Sequence, residues 1–272
     1  MGARRTWLFV PGADEKAHRA AAQSSADVLI QELEDFTPPA LRGKARGLAA
    51  CLYTQWRYAG KLVAVRVNPL ETCGREDLSA VLAAKPDVVM MSKVASPEHV
   101  RALAAITGPD VELVPNVESA AGLVRTIEIA RAAPNVTAAL MASEDMVADL
   151  GAARTPDGDE LAYARARFLV ECRAAGVEAI DCPYTFSDVR GAAKDARRAK
   201  ALGYRAKSLV SPAHAAAVNR AFTPSRAEIA RARRVVAAFE KARAAGRERA
   251  SVDGALVEVP IYAAAKRLLE SL

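Results

Sequence analysis

Eight short apolar runs, each followed by a helical stretch rich in alanine, constrain this chain more than any other feature. They are Trp7–Val10, Val28–Leu33, Leu62–Val67, Val88–Met91, Val111–Val117, Val136–Leu140, Glu178–Asp181 and Ala206–Val210. Short apolar runs bounded by turn signals read as strands buried on both faces. The intervening helices announce themselves: one is predicted over Glu15–Gln23, and Pro38-Pro39 and Ser96-Pro97-Glu98 start two others. Eight such units in roughly 220 residues have the count and size of an α/β fold of the (β/α)8 TIM barrel type. A doubly wound open sheet is the alternative, but no early G-x-G-x-x-G supports a dinucleotide site. The predicted organisation is a barrel over 1–222 and a C-terminal helical extension over 223–272. The extension reads as a long charged helix after Pro224, a break at Gly246, a turn at Ser251–Gly254 and an amphipathic helix over Pro260–Leu272.

Polar residues recur where the apolar runs end. Glu34, Asp35, Arg66, Asn68, Lys93, Glu118, Glu144 and Asp145 all lie at or just beyond a strand C-terminus. In a barrel those ends share one face, where the βα loops build active sites. The stretch Met141–Gly151 is the richest, with Glu144, Asp145 and Asp149 opening a helix that Ser143 can cap. By itself it also reads as an ordinary acidic first turn. Glu118 shifts that balance, because two consecutive strands then each present a carboxylate, the hard oxygen donors that Mg²⁺ requires. Arg66 interrupts Val63-Ala64-Val65-Arg66-Val67. A buried guanidinium there suits a carboxylate ligand, or else an ion pair with Asp35 or Glu118.

Composition excludes several classes. The 272 residues are 51% hydrophobic and 26% charged, which fits a folded globular chain rather than a disordered one. The net charge of +6 is dispersed among acidic residues, so no nucleic-acid stripe emerges, although the excess would attract anionic metabolites. No apolar run approaches the roughly 20 residues of a membrane span, and Met-Gly-Ala-Arg-Arg runs directly into a strand without a signal-peptide core. Cys51, Cys73, Cys172 and Cys182 show no CxxC spacing and read as buried free thiols in a reducing, cytoplasmic setting. His18, His99 and His214 form no ligand or triad pattern.

A set of fragments in fixed order carries a resemblance. They include Leu8-Phe9-Val10-Pro11-Gly12, Leu33-Glu34-Asp35, Val65-Arg66-Val67-Asn68-Pro69, Lys93-Val94 and Val117-Glu118-Ser119. Glu144-Asp145, Ala148-Asp149-Leu150-Gly151, Ala179-Ile180-Asp181, Ala221–Ser225 and Asp253-Gly254 follow. The chain resembles the citrate lyase beta-subunit-like and malyl-CoA lyase family of the HpcH/HpaI aldolase superfamily. That resemblance implies a Mg²⁺-dependent carbon–carbon lyase acting on a β-hydroxyacyl-CoA, or condensing an acyl-CoA with a small 2-keto acid such as oxaloacetate, glyoxylate or pyruvate. It assigns the metal to Glu118 and Asp145, the substrate carboxylate to Arg66, and the other end of the keto acid to Ser143 and Glu144. It gives Glu34 and Asp35 the task of orienting Arg66 or metal-bound water. It makes Asp253 a general acid or base contributed to a neighbouring subunit, and so implies a homo-oligomer such as a trimer.

The departures concern coenzyme A. Where the family carries arginines after Pro-Gly, this chain reads Ala13-Asp14-Glu15-Lys16, and only Lys16 retains the charge. The second strand's first aspartate is Glu32, the usual His-Pro is Ser211-Pro212 near a retained Lys207, and Asp253-Gly254 is followed by Ala255-Leu256. A hydrolytic variant, an aldolase of class II type acting on a free 2-keto acid without coenzyme A, and a non-catalytic barrel binding a dicarboxylate are the competing expectations.

Overall fold

The structure, a computed structural model, describes residues 4–270. The last two residues of the predicted Pro260–Leu272 helix, and the first three of the chain, lie outside the described residues. The chain divides into two compact units, one ending at Phe222 and the other beginning at Thr223.

In the first unit eight strands close into a barrel: β1 (Thr6–Pro11), β2 (Val28–Glu32), β3 (Leu62–Val67), β4 (Val88–Met91), β5 (Glu112–Val117), β6 (Ala138–Met141), β7 (Glu178–Asp181) and β8 (Ala206–Leu209). Every neighbouring pair is parallel, and β8 returns to β1 with Trp7 opposite Ser208. The helices are α1 (Glu15–Gln23), α2 (Arg42–Tyr58), α3 (Gly74–Val81), α4 (Pro97–Thr107), α5 (Ala120–Leu123), α6 (Thr126–Ala130), α7 (Glu144–Asp149), α8 (Ala162–Ala175), α9 (Val189–Leu202) and α10 (Ala215–Phe222).

The period of two along each strand explains both cores. Trp7, Phe9, Val28, Ile30, Ala64, Met90, Val114, Leu140 and Ile180 fill the barrel interior. Their alternates, including Leu8, Val10, Leu29, Val63, Val65, Val89 and Leu113, pack outward with helix residues such as Leu52, Trp56 and Phe168. Followed towards the C-terminal ends, the inward series becomes polar: Ile30 gives way to Glu32, Ala64 to Arg66, and Val114 to Asn116 and then Glu118.

Differences from the sequence expectation are local. Strand β2 stops at Glu32, one residue before its apolar run ends, because the Glu32 carboxylate accepts the amides of Glu34 (2.7 Å) and Phe36 (2.6 Å) and turns the chain. Val136 makes only an isolated bridge to Leu113, and β6 starts at Ala138. Cys172 and Cys182 are buried, and burial raises both thiols, that of Cys182 to about 12. Cys51 is exposed and Cys73 partly so, which corrects the expectation that all four are buried. His18 and His214 are buried packing residues, His18 bonded to the Pro11 carbonyl at 2.9 Å and set edge-on to Trp56.

The second unit comprises α11 (Arg226–Ala244), a hairpin of β9 (Ala250–Val252) and β10 (Ala255–Val257), and α12 (Val259–Glu270). Ser225 and Glu228 form a reciprocal capping box at the start of α11. Val235, Phe239, Val252 and Val257 make its own small core, with Phe239 stacked on Tyr262. Asp253 and Gly254 both adopt left-handed φ values, 51° and 77°, as a two-residue hairpin turn of the I′ kind requires.

Candidate active site

Arg66 organises the barrel mouth. The β2–β3 register sets it opposite Glu32, and its Nε donates to Glu32 Oε1 at 2.9 Å. Its other nitrogens reach Glu34 at 3.2 Å and Glu118 at 3.6 Å. The guanidinium lies over the Phe9 ring, 4.7 Å from its centroid, with Phe36 at 6.0 Å. Burial alone would lower its ionisation, but Glu32, Glu118 and Glu34 outweigh burial and hold it fully charged. Of the two ion-pair partners considered from sequence, Glu118 is engaged and Asp35 is not. Asp35 is exposed and sits 3.5 Å from Lys93.

Lys93 ends the fourth strand's turn in a left-handed conformation, φ 55°, unusual for a residue with a long side chain. Its ammonium pairs with the Glu34 carboxylate, so Glu34 bridges Lys93 and Arg66. Glu34 is buried, and burial raises its ionisation against the opposing pull of Arg66 and Lys93.

Glu118 is different. It is 3% exposed, and neither carboxylate oxygen has a hydrogen-bond partner among the described residues. Burial pushes its ionisation up to about 7; Arg66 opposes that shift, while the charges of Asp145 and Glu34 reinforce it. Beneath it on the same strand face, the Asn116 carboxamide is also buried without a partner among the described residues. Asp145 is thus close enough to Glu118 to repel it. Counting Glu32, Glu34, Asp35, Glu118 and Asp145 against Arg66 and Lys93, carboxylates outnumber cations five to two among the described residues of this cluster.

The donor chemistry fits Mg²⁺. Two hard carboxylates, one with both oxygens unsatisfied, provide an incomplete oxygen set of the kind that water and a substrate oxygen complete. Among the described residues no group of three or more His, Cys, Asp or Glu side chains could hold a metal without such help.

The three carboxylates of Met141–Gly151 part company in the fold. Asp145 adds its negative charge to that of Glu118. Glu144 accepts from Arg154 Nε at 3.0 Å and Thr185 Oγ1 at 2.8 Å. Asp149 accepts the Ala120 amide at 2.7 Å. The Ser143 side chain makes no capping bond to α7 among the described residues, contrary to expectation. Its φ and ψ, −87° and −48°, are already helical, and its hydroxyl lies 3.4 Å from the Pro183 carbonyl instead.

Around β1, Asp14 caps α1 by accepting the Lys16 and Ala17 amides, and Glu15 pairs with Lys44 at 3.1 Å; the Lys16 side chain is exposed. Lys207 is fully buried, its ammonium taken by Asp181, Asp195 and the Cys182 carbonyl. It therefore supplies no free charge for a phosphate. In the second unit Asp253 pairs with Arg234 at 2.7 Å. Asn116 is a site residue that sequence reasoning passed over, and Glu32 stood out from sequence only as a departure from the family pattern, with no role assigned. A glutamate at the inward end of β2 and an amide inside the apolar run of β5 were the available signals.

A closed parallel barrel with acidic and basic side chains gathered at the strand C-terminal ends defines an enzyme-type barrel. The chain belongs to the HpcH/HpaI aldolase/citrate lyase family, whose pattern it matches over residues 5–212. It is 32% identical to the citrate lyase subunit beta of Leuconostoc mesenteroides, over 98% of this chain and 92% of that one. It is 34% identical to a (3S)-malyl-CoA thioesterase of Cereibacter sphaeroides, over 93% and 89% respectively. The CitE protein of Mycobacterium tuberculosis, solved with magnesium, acetoacetate and coenzyme A, superimposes with a TM-score of 0.83 at 30% identity, covering 99% of this chain and 98% of that one.

Proposed function

We propose that this protein is a Mg²⁺-dependent carbon–carbon lyase acting on a β-hydroxyacyl-CoA, releasing a small 2-keto acid and an acyl-CoA, or running the reverse condensation. The observation that carries the reading is Glu118: a buried carboxylate with no hydrogen bond to either oxygen among the described residues, only a long 3.6 Å pairing with Arg66, and the negative charge of Asp145 acting on it within a cluster of excess negative charge. Glu118 and Asp145 would hold Mg²⁺, which supplies electrophilic stabilisation of the oxygen that gains charge. Arg66, fixed by Glu32 and Glu34 against Phe9, receives the keto-acid carboxylate with a preset fork of donors. The backbone around Ser143 and Glu144 meets the other end. In cleavage the substrate hydroxyl gives its proton to the Asp253 carboxylate, the C–C bond breaks to give the keto acid, and its electron pair remains on the acyl-CoA as an enolate. Protonation of that carbon completes the products, and Asp253, supplied by a neighbouring subunit of a homo-oligomer such as a trimer, is the proton donor. The (3S)-malyl-CoA thioesterase relative favours a hydrolytic variant in which water then releases the free acid.

A second reading rests on the β1 loop. Asp14 and Glu15 stand where a pyrophosphate would need cations, and Lys44 is already paired with Glu15. This favours an aldolase that takes a free 2-keto acid without coenzyme A.

Calorimetric titration with acetyl-CoA, in the presence of Mg²⁺ and oxaloacetate or glyoxylate, separates the two. Saturable acetyl-CoA binding is expected. Keto-acid binding with no acetyl-CoA signal would instead establish the free-acid aldolase. Asp253→Asn should abolish turnover and leave Mg²⁺ binding intact, and full activity in that variant would remove Asp253 from the mechanism.

A further inference from the structure

Arg154 lies on the loop between α7 and α8, yet its side chain is only 15% exposed. Its Nε bonds Glu144 at 3.0 Å, its Nη1 bonds Glu160 at 2.5 Å, and its guanidinium lies 5.7 Å from the Phe186 ring centre. Glu160 also accepts from the Thr155 hydroxyl at 2.6 Å; burial would raise its ionisation, but the bonds from Thr155 and Arg154 hold it at about 2. Glu144 in turn takes the Thr185 hydroxyl at 2.8 Å. One guanidinium therefore joins the turn after β6, the loop after α7 and the loop after β7.

Helix α7 needs such an anchor. It has six residues, and Ser143 gives it no side-chain cap among the described residues. At its far end Asp149 accepts the Ala120 amide, just beyond Glu118. The first turn, which carries Asp145, is packed through Met146 and Val147, and among the described residues its polar side-chain contacts to other elements are those of Glu144 with Arg154 and Thr185 and of Ser143 with the Pro183 carbonyl. The Glu144 side chain is 54% exposed, so its pair with Arg154 adds little to folding stability. Its effect falls on geometry, because the planar fork of arginine permits few arrangements of its partner.

We propose that Arg154 is a positioning residue that, through Glu144 and Thr185, sets where Asp145 stands relative to Glu118, and that the Glu144 side chain serves this latch while only its backbone faces the substrate. The proposal rests on the reading of Glu118 and Asp145 as Mg²⁺ ligands.

The test is Mg²⁺ titration of the full-length protein by calorimetry, comparing wild type with Asp145→Asn, Arg154→Met, Arg154→Lys and Glu144→Gln, each checked for melting temperature. Loss of an outer hydrogen-bond partner to a metal ligand typically weakens affinity about 10-fold to 100-fold. Arg154→Met and Glu144→Gln should each weaken Mg²⁺ binding about tenfold; Glu144→Gln should keep a melting temperature near wild type, whereas Arg154→Met, which also leaves the Glu160 carboxylate without its cation, should lower it. Their combination should be no weaker than the worse single change, since both break one latch. Arg154→Lys should recover only part of the loss. If Asp145→Asn abolishes binding while Arg154→Met and Glu144→Gln bind as wild type does, the latch is overturned and the metal assignment stands. If Asp145→Asn binds Mg²⁺ unchanged, the metal assignment falls and the latch falls with it.

Discussion

Arg66 shows how one side chain can be both legible and misjudged. Its place inside an apolar strand signalled a buried charge that had to be paired, and it is paired three times over, with Glu32, Glu34 and Glu118. The partner named from proximity in sequence, Asp35, points to Lys93 instead. Adjacent residues leave a turn in different directions, and only packing selects between them. The same triple pairing argues that lysine cannot replace this arginine. A lysine would keep one charge, but it would lose the fork that meets Glu32 and Glu34 while still presenting nitrogen to a ligand. Arg66→Lys should lower kcat/KM by about 100-fold, in the range of a lost oriented donor. Steady-state kinetics on whichever substrate the titration identifies would measure it, and a change under about threefold would sink the carboxylate-clamp role.

At the scale of elements, the outward face of the barrel carries its own charge cluster. Asp181 on β7 accepts from Arg165 of α8 at 2.9 and 2.7 Å and from Lys207 of β8 at 2.7 Å. Asp195 of α9 completes it, 2.8 Å from Arg165. The β7–β8 register places Asp181 opposite Lys207, so strand pairing and helix docking depend on the same carboxylate. Burial raises the ionisation of Asp195, but Lys207 and Arg165 outweigh it and hold that group at about 2. Neutralising Asp181 would strand two buried cations with one counter-charge. Asp181→Asn should therefore cost about 3–5 kcal/mol, read as a lower urea midpoint without change in slope. A loss below about 1 kcal/mol would mean that the cluster is better solvated than its burial implies. From sequence Lys207 looked like a surviving basic position near the site, because strand alternation was not carried through to its consequence: Ala206 faces inward, so Lys207 faces the helices.

For the whole molecule, Glu118 makes stability depend on pH and, on the proposed reading of it as a Mg²⁺ ligand, on metal as well. Its ionisation is raised to about 7, against an ordinary glutamate near 4.3. The proton-bound form is therefore the one the fold favours. The stability it contributes is fully present below about pH 4 and is lost as pH rises through about 7, roughly 3 kcal/mol in all. A cation beside Glu118 reverses the preference. Mg²⁺ should accordingly raise the melting temperature more at pH 8 than at pH 6. At 100 times the dissociation constant the gain is about 2.7 kcal/mol, or roughly 5–10 °C for a domain of this size. Glu118→Gln should remove both the metal shift and its pH dependence. Equal shifts at the two pH values in the wild-type protein would place the metal elsewhere.

The amino-acid sequence by itself determined the barrel, because eight apolar runs spaced by helical stretches leave little else that buries both faces of every strand. It also marked the face where charge gathers, since Glu34, Lys93, Glu118 and Asp145 follow strand ends and Arg66 is the last residue but one of β3. What only the tertiary structure decided is the division of labour among neighbours. Glu144, Asp145 and Asp149 are alike in charge and close in sequence, but Glu144 and Asp145 diverge by about 100° around the helix, and Asp149, on the same face as Asp145, stands one full turn further along. One meets Arg154, one faces Glu118 and one takes the Ala120 amide, because those partners arrive from other strands. Glu32 and Asn116 were hidden for the same reason: their roles come from partners, or the lack of them, across the barrel. Local pattern specifies which groups are present, and only closure of the chain specifies what each one meets.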